Sequence, residues 1–268
     1  MRAVLNHLEF EFKSVIRDKS LLLMNYLFPL AFYFMMSIIM PSINKSFNKT
    51  MIPGMIVFTI MVSTLLGMPN PIVSSREKGI YRSYKIYGVG SKAALLIPII
   101  TTAIHITIVS IIIILTSANI FHASMPQNYL GFVLSYLIIL FSFLGLGTLL
   151  GVCSPNSRIT VLLAQFVFLP SMMLGGIMMP TDILSKNIQK ISNIFPSTHS
   201  MNLFNTMAFN ANNFGIPTVS MLTLICGGTL SFILATYLFT WDDTNEKASK
   251  KIIGIIAILP YLISAFFL

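Results

Sequence analysis

Side chains able to do chemistry are scarce in this 268-residue sequence, and their spacing does not build a catalytic site. The four histidines, His7, His105, His122 and His199, show no metal-ligand spacing. No H-E-x-x-H, no G-x-S-x-G and no paired carboxylate lies in or beside an apolar segment, so metal hydrolysis and acyl transfer have no candidates. Asp242 and Asp243 are adjacent, but they sit in a mixed-charge stretch with Lys247, Lys250 and Lys251 and read as a solvated juncture. Gly88-Val89-Gly90-Ser91-Lys92 looks like a phosphate loop. It lacks the G-x-x-x-x-G-K-[ST] spacing and a preceding strand, so the chain is not expected to hydrolyse ATP itself. Two cysteines, Cys153 and Cys226, make no disulfide framework. Catalytic, cofactor and metal residues are therefore expected to be absent.

The elements around these residues explain the scarcity. The chain is 55% hydrophobic and 9% charged, where a soluble domain carries about 25% charged residues. Most of its outer surface must face lipid. Charges mark the gaps between apolar runs, and a spanning helix needs about 20 apolar residues. Spans are expected near Leu21–Met40, Ile52–Val73, Ala94–Ser117, Tyr129–Val152, Ile159–Met179 and Thr218–Thr240. A seventh run, Ile252–Leu268, is at the short limit and contains Pro260. It crosses or lies in the interface, with crossing favoured. No span contains Asp, Glu, Lys or Arg, and ion-coupled carriers usually keep such groups in the membrane. Only His105 sits within a span, and it reads as a hydrogen-bonded packing residue.

Lys and Arg set the orientation. With the N-terminus in the cytoplasm, the inner segments hold Arg2, Lys13, Arg17, Lys19, Arg76, Lys78, Arg82, Lys85, Lys92, Arg158, Lys247, Lys250 and Lys251. The outer segments hold only Lys45, Lys49, Lys186 and Lys190. The net charge of +9 thus reflects topology and anionic lipid rather than nucleic acid.

Three non-spanning segments carry pattern. In residues 1–19, Val4, Leu8, Phe12, Val15, Ile16 and Lys19 follow helical spacing while Arg2, Asn6, Glu9, Lys13 and Arg17 lie on the other face, as in a helix lying in the headgroup layer. Glu9 and Lys13 stand at the i,i+4 spacing of a favourable pair. Residues 76–92 form a basic, tyrosine-rich loop. Pro69 and Pro71 are expected to end the helix before it, and Ile80, Tyr84 and Tyr87 to share one face of a short helix closed by Gly88 and Gly90. The plain reading is a topogenic loop; the sharper one is a dock for a soluble partner, since Tyr and Arg favour interface centres. Residues 180–217 hold an apolar stripe, Leu184, Ile188, Ile191 and Phe195, between Pro180 and Pro196, which suggests re-entrant helices capping a pathway. Gly147 and Gly151 in the fourth span have close-packing spacing, read first as packing within one chain. No internal repeat or linker is visible, so residues 1–268 read as a single all-α membrane domain.

Taken in order along residues 1–245, these features resemble the membrane subunits of type-2 ABC exporters, the ABC-2 permeases. The resemblance rests on Arg17-Asp18-Lys19-Ser20 after an amphipathic helix, Pro53-Gly54 opening the second span, Arg76-Glu77-Lys78-Gly79 in the inner loop, Gly175-Gly176-Ile177-Met178-Met179-Pro180 closing the fifth span, and Phe195-Pro196-Ser197-Thr198. It implies a six-span half-transporter that pairs with a second permease, identical or related, and with two ATPase subunits holding ATP and Mg. It also implies a connecting helix (Phe12, Lys13, Arg17, Asp18), a coupling helix within Arg76, Glu77, Lys78, Gly79, Tyr81, Arg82, Tyr84 and Lys85, and an outer gate (Gly175, Gly176, Pro180, Phe195, Pro196). The expected path lies along spans one, two and five, for apolar or amphipathic cargo such as drugs, antimicrobial peptides or lipids, in a bacterial plasma membrane. A non-transporting membrane anchor or an ion-coupled carrier are the alternatives.

Overall fold

The computed structural model describes residues 2–44, 47–178, 184–210, 216–242 and 251–265, with side chains from Leu8 onward. Among these the regular structure is helical, with no strand. In chain order the helices are α1 (Arg2–Arg17), α2 (Lys19–Ile43), α3 (Phe47–Glu77), α4 (Ile80–Ile86), α5 (Ser91–Asn119), α6 (Tyr129–Cys153), α7 (Ser157–Leu174), α8 (Lys186–Ser192), α9 (Pro196–Met207), α10 (Pro217–Leu238) and α11 (Ile252–Ser264). Six of them, α2, α3, α5, α6, α7 and α10, are long and apolar enough to cross a membrane. Each coincides with one of the six expected spans.

The bundle is built around α3. Its most apolar window is 94% buried, against 28% for α2 and 22% for α7, so α3 is wrapped by protein while α2 and α7 turn much of their surface outward. Phe58 of α3 joins the two neighbours: its ring lies 4.0 Å from that of Phe32 in α2 and 6.0 Å from that of Phe168 in α7. Both neighbours thus meet α3 at the Phe58 side chain.

Pro69 and Pro71 do not end α3, contrary to the expectation from their missing donors. Residues Val62–Gly67 wind as a π turn, and the Met68 amide bonds the Ser63 carbonyl five residues back at 2.9 Å. Widening just before the prolines changes the hydrogen-bond register, and the helix resumes at Pro69 with the ring at its first turn, where a missing N–H costs nothing. Span four packs onto this widened turn. A Cβ on Gly147 would lie 2.1 Å from the Thr64 carbonyl oxygen, so only glycine allows α6 this close to α3. The Gly147-xxx-Gly151 spacing therefore serves packing inside one chain.

At the N-terminal edge, α1 is amphipathic as expected. Val15 is buried and Phe12 is half-buried, stacked on His105 of α5 with ring centroids 4.4 Å apart. Ile16, expected on the same face, points outward at 46% exposure. His105 is a packing residue: its Nδ1 lies 2.5 Å from the Tyr26 hydroxyl of α2. Lys13 donates to Glu9 at 2.5 Å, the expected i,i+4 pair.

Far from this edge, α9 is buried along its length from Pro196 to Asn205. The chain bends into it after α8, where the Thr198 hydroxyl donates to the Ser192 carbonyl at 2.5 Å. Ile188 and Ile191 of α8 face outward. Pro180, Asp243, Lys247, Lys250 and Phe266–Leu268 lie outside the described residues.

Candidate coupling site

Residues proposed from sequence fall into two groups at opposite ends of the bundle. Arg76, Glu77 and α4 lie at the end where α3 finishes, α6 finishes and α7 begins. Gly175, Gly176, Phe195 and Pro196 lie at the other end of α7, a helix of 18 residues, or about 27 Å.

Arg76 is buried at 4% exposure. Its guanidinium donates to the Val152 carbonyl at 3.1 Å, to the Ser154 carbonyl, and to the Pro155 carbonyl at 3.4 Å. These oxygens belong to the last turn of α6 and the tight turn after it. Helix C-termini leave carbonyls without partners and carry partial negative charge, and a cation answers both. Glu77 does the converse job at the next helix. Its carboxylate accepts from the Ser157 amide at 3.0 Å and from the Ser157 hydroxyl at 2.6 Å, at the first residue of α7. Asn156 completes that cap by accepting from the Ile159 amide at 2.9 Å. One Arg-Glu dipeptide thus binds the positive and negative helix ends on the two sides of a single turn. Lys251 adds a donor to the Ser154 carbonyl at 3.3 Å.

Immediately after this brace the chain turns. Gly79 has φ +70 and Gly88 has φ +75, backbone conformations that cost a β-carbon-bearing residue about 1 kcal/mol or more. Between them stands α4. Its inward residue is Tyr81, 3% exposed, whose ring meets Phe239 beyond the end of α10 edge-on at 5.2 Å. Tyr84 is half-buried beside it. Burial raises the pKa of both hydroxyls, and the nearby Glu11 carboxylate on α1 raises them further, so both remain protonated. Glu11, Val15, Ser75, Tyr81 and Tyr84 help line a small cavity of about 60 Å³ among α1, α2, α3, α4 and α5.

The face of α4 thus differs from the expected one. Tyr81, not Ile80 or Tyr87, points inward, because the left-handed Gly79 rotates the helix as it leaves α3. Ile86 and Tyr87 stand outward at 75% and 84% exposure, flanked by the exposed Arg82 and Lys85. Lys78 is exposed as well. Ile86 has no spacing signal in the sequence; only the geometry shows it as an exposed apolar side chain between Lys85 and Tyr87.

The connecting segment is equally specific. Asp18 takes extended backbone (φ -79, ψ 114) between α1 and α2, and its carboxylate accepts from the Ser20 and Leu21 amides at 2.8 and 3.1 Å. It is a helix N-cap that fixes the bend. Lys13 and Arg17 are exposed. At the opposite end, a Cβ on Gly175 would lie 2.0 Å from Ser197 Oγ, so the end of α7 sits directly on the start of α9, and the Ser197 hydroxyl donates to the Ser171 carbonyl at 2.9 Å. Gly176 has φ +78. Phe195 is half-buried and Pro196 buried.

A bundle of six helices long and apolar enough to cross a membrane, with a braced basic end, defines a multi-pass membrane protein. The sequence pattern of the ABC-2 type transporter family matches residues 4–209, and the chain belongs to that family. It is similar to "Putative transport permease YvfS" of Bacillus subtilis (strain 168), with 25% identity over 236 residues, covering 85% of this chain and 93% of that protein. No solved structure matches it.

Proposed function

We propose that this permease is one half of an ATP-driven exporter whose ATPase subunits are separate polypeptides docking on α4 and on the outward face of α1. The observation that carries this reading is the construction of α4. Its tip offers Arg82, Lys85, Ile86 and Tyr87 to solvent, the mixture of charge and apolar area favoured at interface centres. Its root is fixed through Tyr81 to Phe239 and through Arg76 and Glu77 to the α6–α7 turn. A displacement of α4 is therefore felt by α3, by the α6–α7 turn and by the end of α10. Arg76, Glu77 and Gly79 transmit the motion; Arg82, Lys85 and Tyr87 meet the partner.

The outward faces of α2 and α7, such as Leu27 at 61%, Ile38 at 69%, Leu162 at 62% and Phe166 at 79% exposure, suit a second permease, identical or related. Pairing there puts the path beside α2, α3 and α7. No Asp, Glu, Lys or Arg occurs in the lipid-depth part of these helices, which supports apolar or amphipathic cargo. The Lys/Arg distribution supports α4 and the N-terminus in the cytoplasm of a bacterium, with α8 and α9 as re-entrant caps on the outer side. Co-expression with candidate ABC ATPase subunits tests the reading. Wild type should retain the ATPase through purification, and R82E/K85E/Y87A should lose it while remaining folded. Equal retention by both would overturn the assignment of α4.

A further inference from the structure

The family match ends at residue 209, well before α11. This helix runs along a groove between α6 and α10, and its contacts are ordered along the bundle. Lys251 bonds the Ser154 carbonyl at the Arg76 end. Gly254 comes next, where a Cβ would sit 2.6 Å from Cys153 Sγ. Tyr261 then lies at mid-bundle: it is 2% exposed, its hydroxyl is 2.9 Å from Ser142 Oγ, and a Cβ on Gly227 would fall 2.3 Å from that hydroxyl. Last is Ser264, whose hydroxyl lies 3.0 Å from His199 Nε2 on α9. His199 in turn lies 2.8 Å from the Asn193 carbonyl and 3.4 Å from Ser220 Oγ, in the first turn of α10.

We propose that α11 is a seventh transmembrane segment, crossing from the Arg76 end to the α9 end, and that its last turn latches α9. The order of the contacts along the bundle supports crossing. Residues Ile252–Ile258 are 3-10 helix and Leu259–Ser264 are α-helix; at about 2.0 and 1.5 Å per residue they cover about 23 Å. The same stretch as pure α-helix covers about 20 Å; the 3-10 winding lengthens it, though it stays shorter than the roughly 30 Å hydrocarbon layer. The side chains agree. Ile252, Ile255, Ile258, Leu259 and Ile263 are 42–64% exposed and all apolar, as lipid requires, while Ala257, Tyr261 and Ser264 are turned into the groove. Polar contacts at Tyr261 and Ser264 fix depth and rotation, which an interfacial helix lying across the bundle end would not need.

The test is sided thiol labelling in whole cells, in a C153A/C226A background, with single cysteines K85C, N210C and L268C and a membrane-impermeant maleimide. L268C should label with N210C and opposite to K85C. Labelling of L268C together with K85C, or from neither face, overturns the crossing. The latch is read separately on the purified chain by hydrogen exchange across Pro196–Met207. S264A should speed exchange of α9 about fivefold, the loss of one hydrogen bond of about 1 kcal/mol, whereas Y261F, whose lost partner is Ser142 of α6, should not. Unchanged α9 exchange in S264A overturns the latch. Neither readout depends on an ATPase partner.

Discussion

Replacing Arg76 by alanine removes the guanidinium that spans the end of α6 and the turn into α7. Two close contacts, to the Val152 carbonyl at 3.1 Å and to the Ser154 carbonyl, are lost together with a longer one to Pro155. Hydrogen bonds to a charged group contribute about 1.5–3 kcal/mol each, and the two acceptors are left without their buried cation. The expected loss is about 3–5 kcal/mol, or a fall in Tm of about 6–20 °C for a chain of this size. Arg76→Lys should recover part of it, because one ammonium reaches fewer carbonyls than a planar fork. Thermal unfolding of the detergent-purified chain, without any partner, is the assay. A Tm within 2 °C of wild type for R76A, combined with loss of ATPase binding, would refute the argument and make Arg76 a docking residue. The contrasting control is R82E/K85E, which touches only exposed side chains and should shift stability by less than about 0.5 kcal/mol.

Other perturbations follow from the same structure. Glu77→Gln keeps the shape and weakens a cap on an exposed group, so it should cost about 1 kcal/mol in the same unfolding assay. Gly147→Ala forces a methyl against the Thr64 carbonyl, 2.1 Å from an ideal Cβ; it should cost about 3 kcal/mol and lower Tm, as overpacking does. Burial holds the imidazole of His199 down at about 4 from its ordinary 6.5, against the raising effect of its bond to the Asn193 carbonyl. Its folded form therefore binds protons less readily than the unfolded chain. The stability this gives is present above pH 6.5 and is lost as pH falls toward 4. Between pH 7 and pH 5 the loss should be about 2 kcal/mol, visible as a falling Tm that H199Q flattens.

The spans were legible because each is a run of apolar residues bounded by charge, and lipid leaves little room for another reading. The amphipathic start, the Glu9–Lys13 pair and the packing role of His105 were legible for local reasons of spacing. What failed was whatever depended on a helix changing its winding. Nothing in Val62–Gly67 announces a π turn, so Pro69 and Pro71 looked like a stop. Nothing before Gly79 states that its φ is positive, so the buried face of α4 was set one residue away from Tyr81. The brace at Arg76 and Glu77 pairs residues about 80 positions apart with a turn, Ser154–Ser157, that has no strong pattern of its own. A reader looking for it could have asked which cation and which anion answer the two orphaned helix ends there. In the candidate coupling site, Arg82 and Lys85 were identifiable by charge; Ile86 needed the geometry.

The account rests on α4 carrying force between an ATPase and the bundle. The direct measurement is ATP hydrolysis and cargo efflux in vesicles holding this permease with its ATPase, comparing wild type with Gly79→Pro/Gly88→Pro. Those prolines fix φ near -65° and remove the two turns that let α4 stand out from the bundle. The account predicts that efflux is lost while the six spans stay folded. Efflux at the wild-type rate from that variant would contradict it.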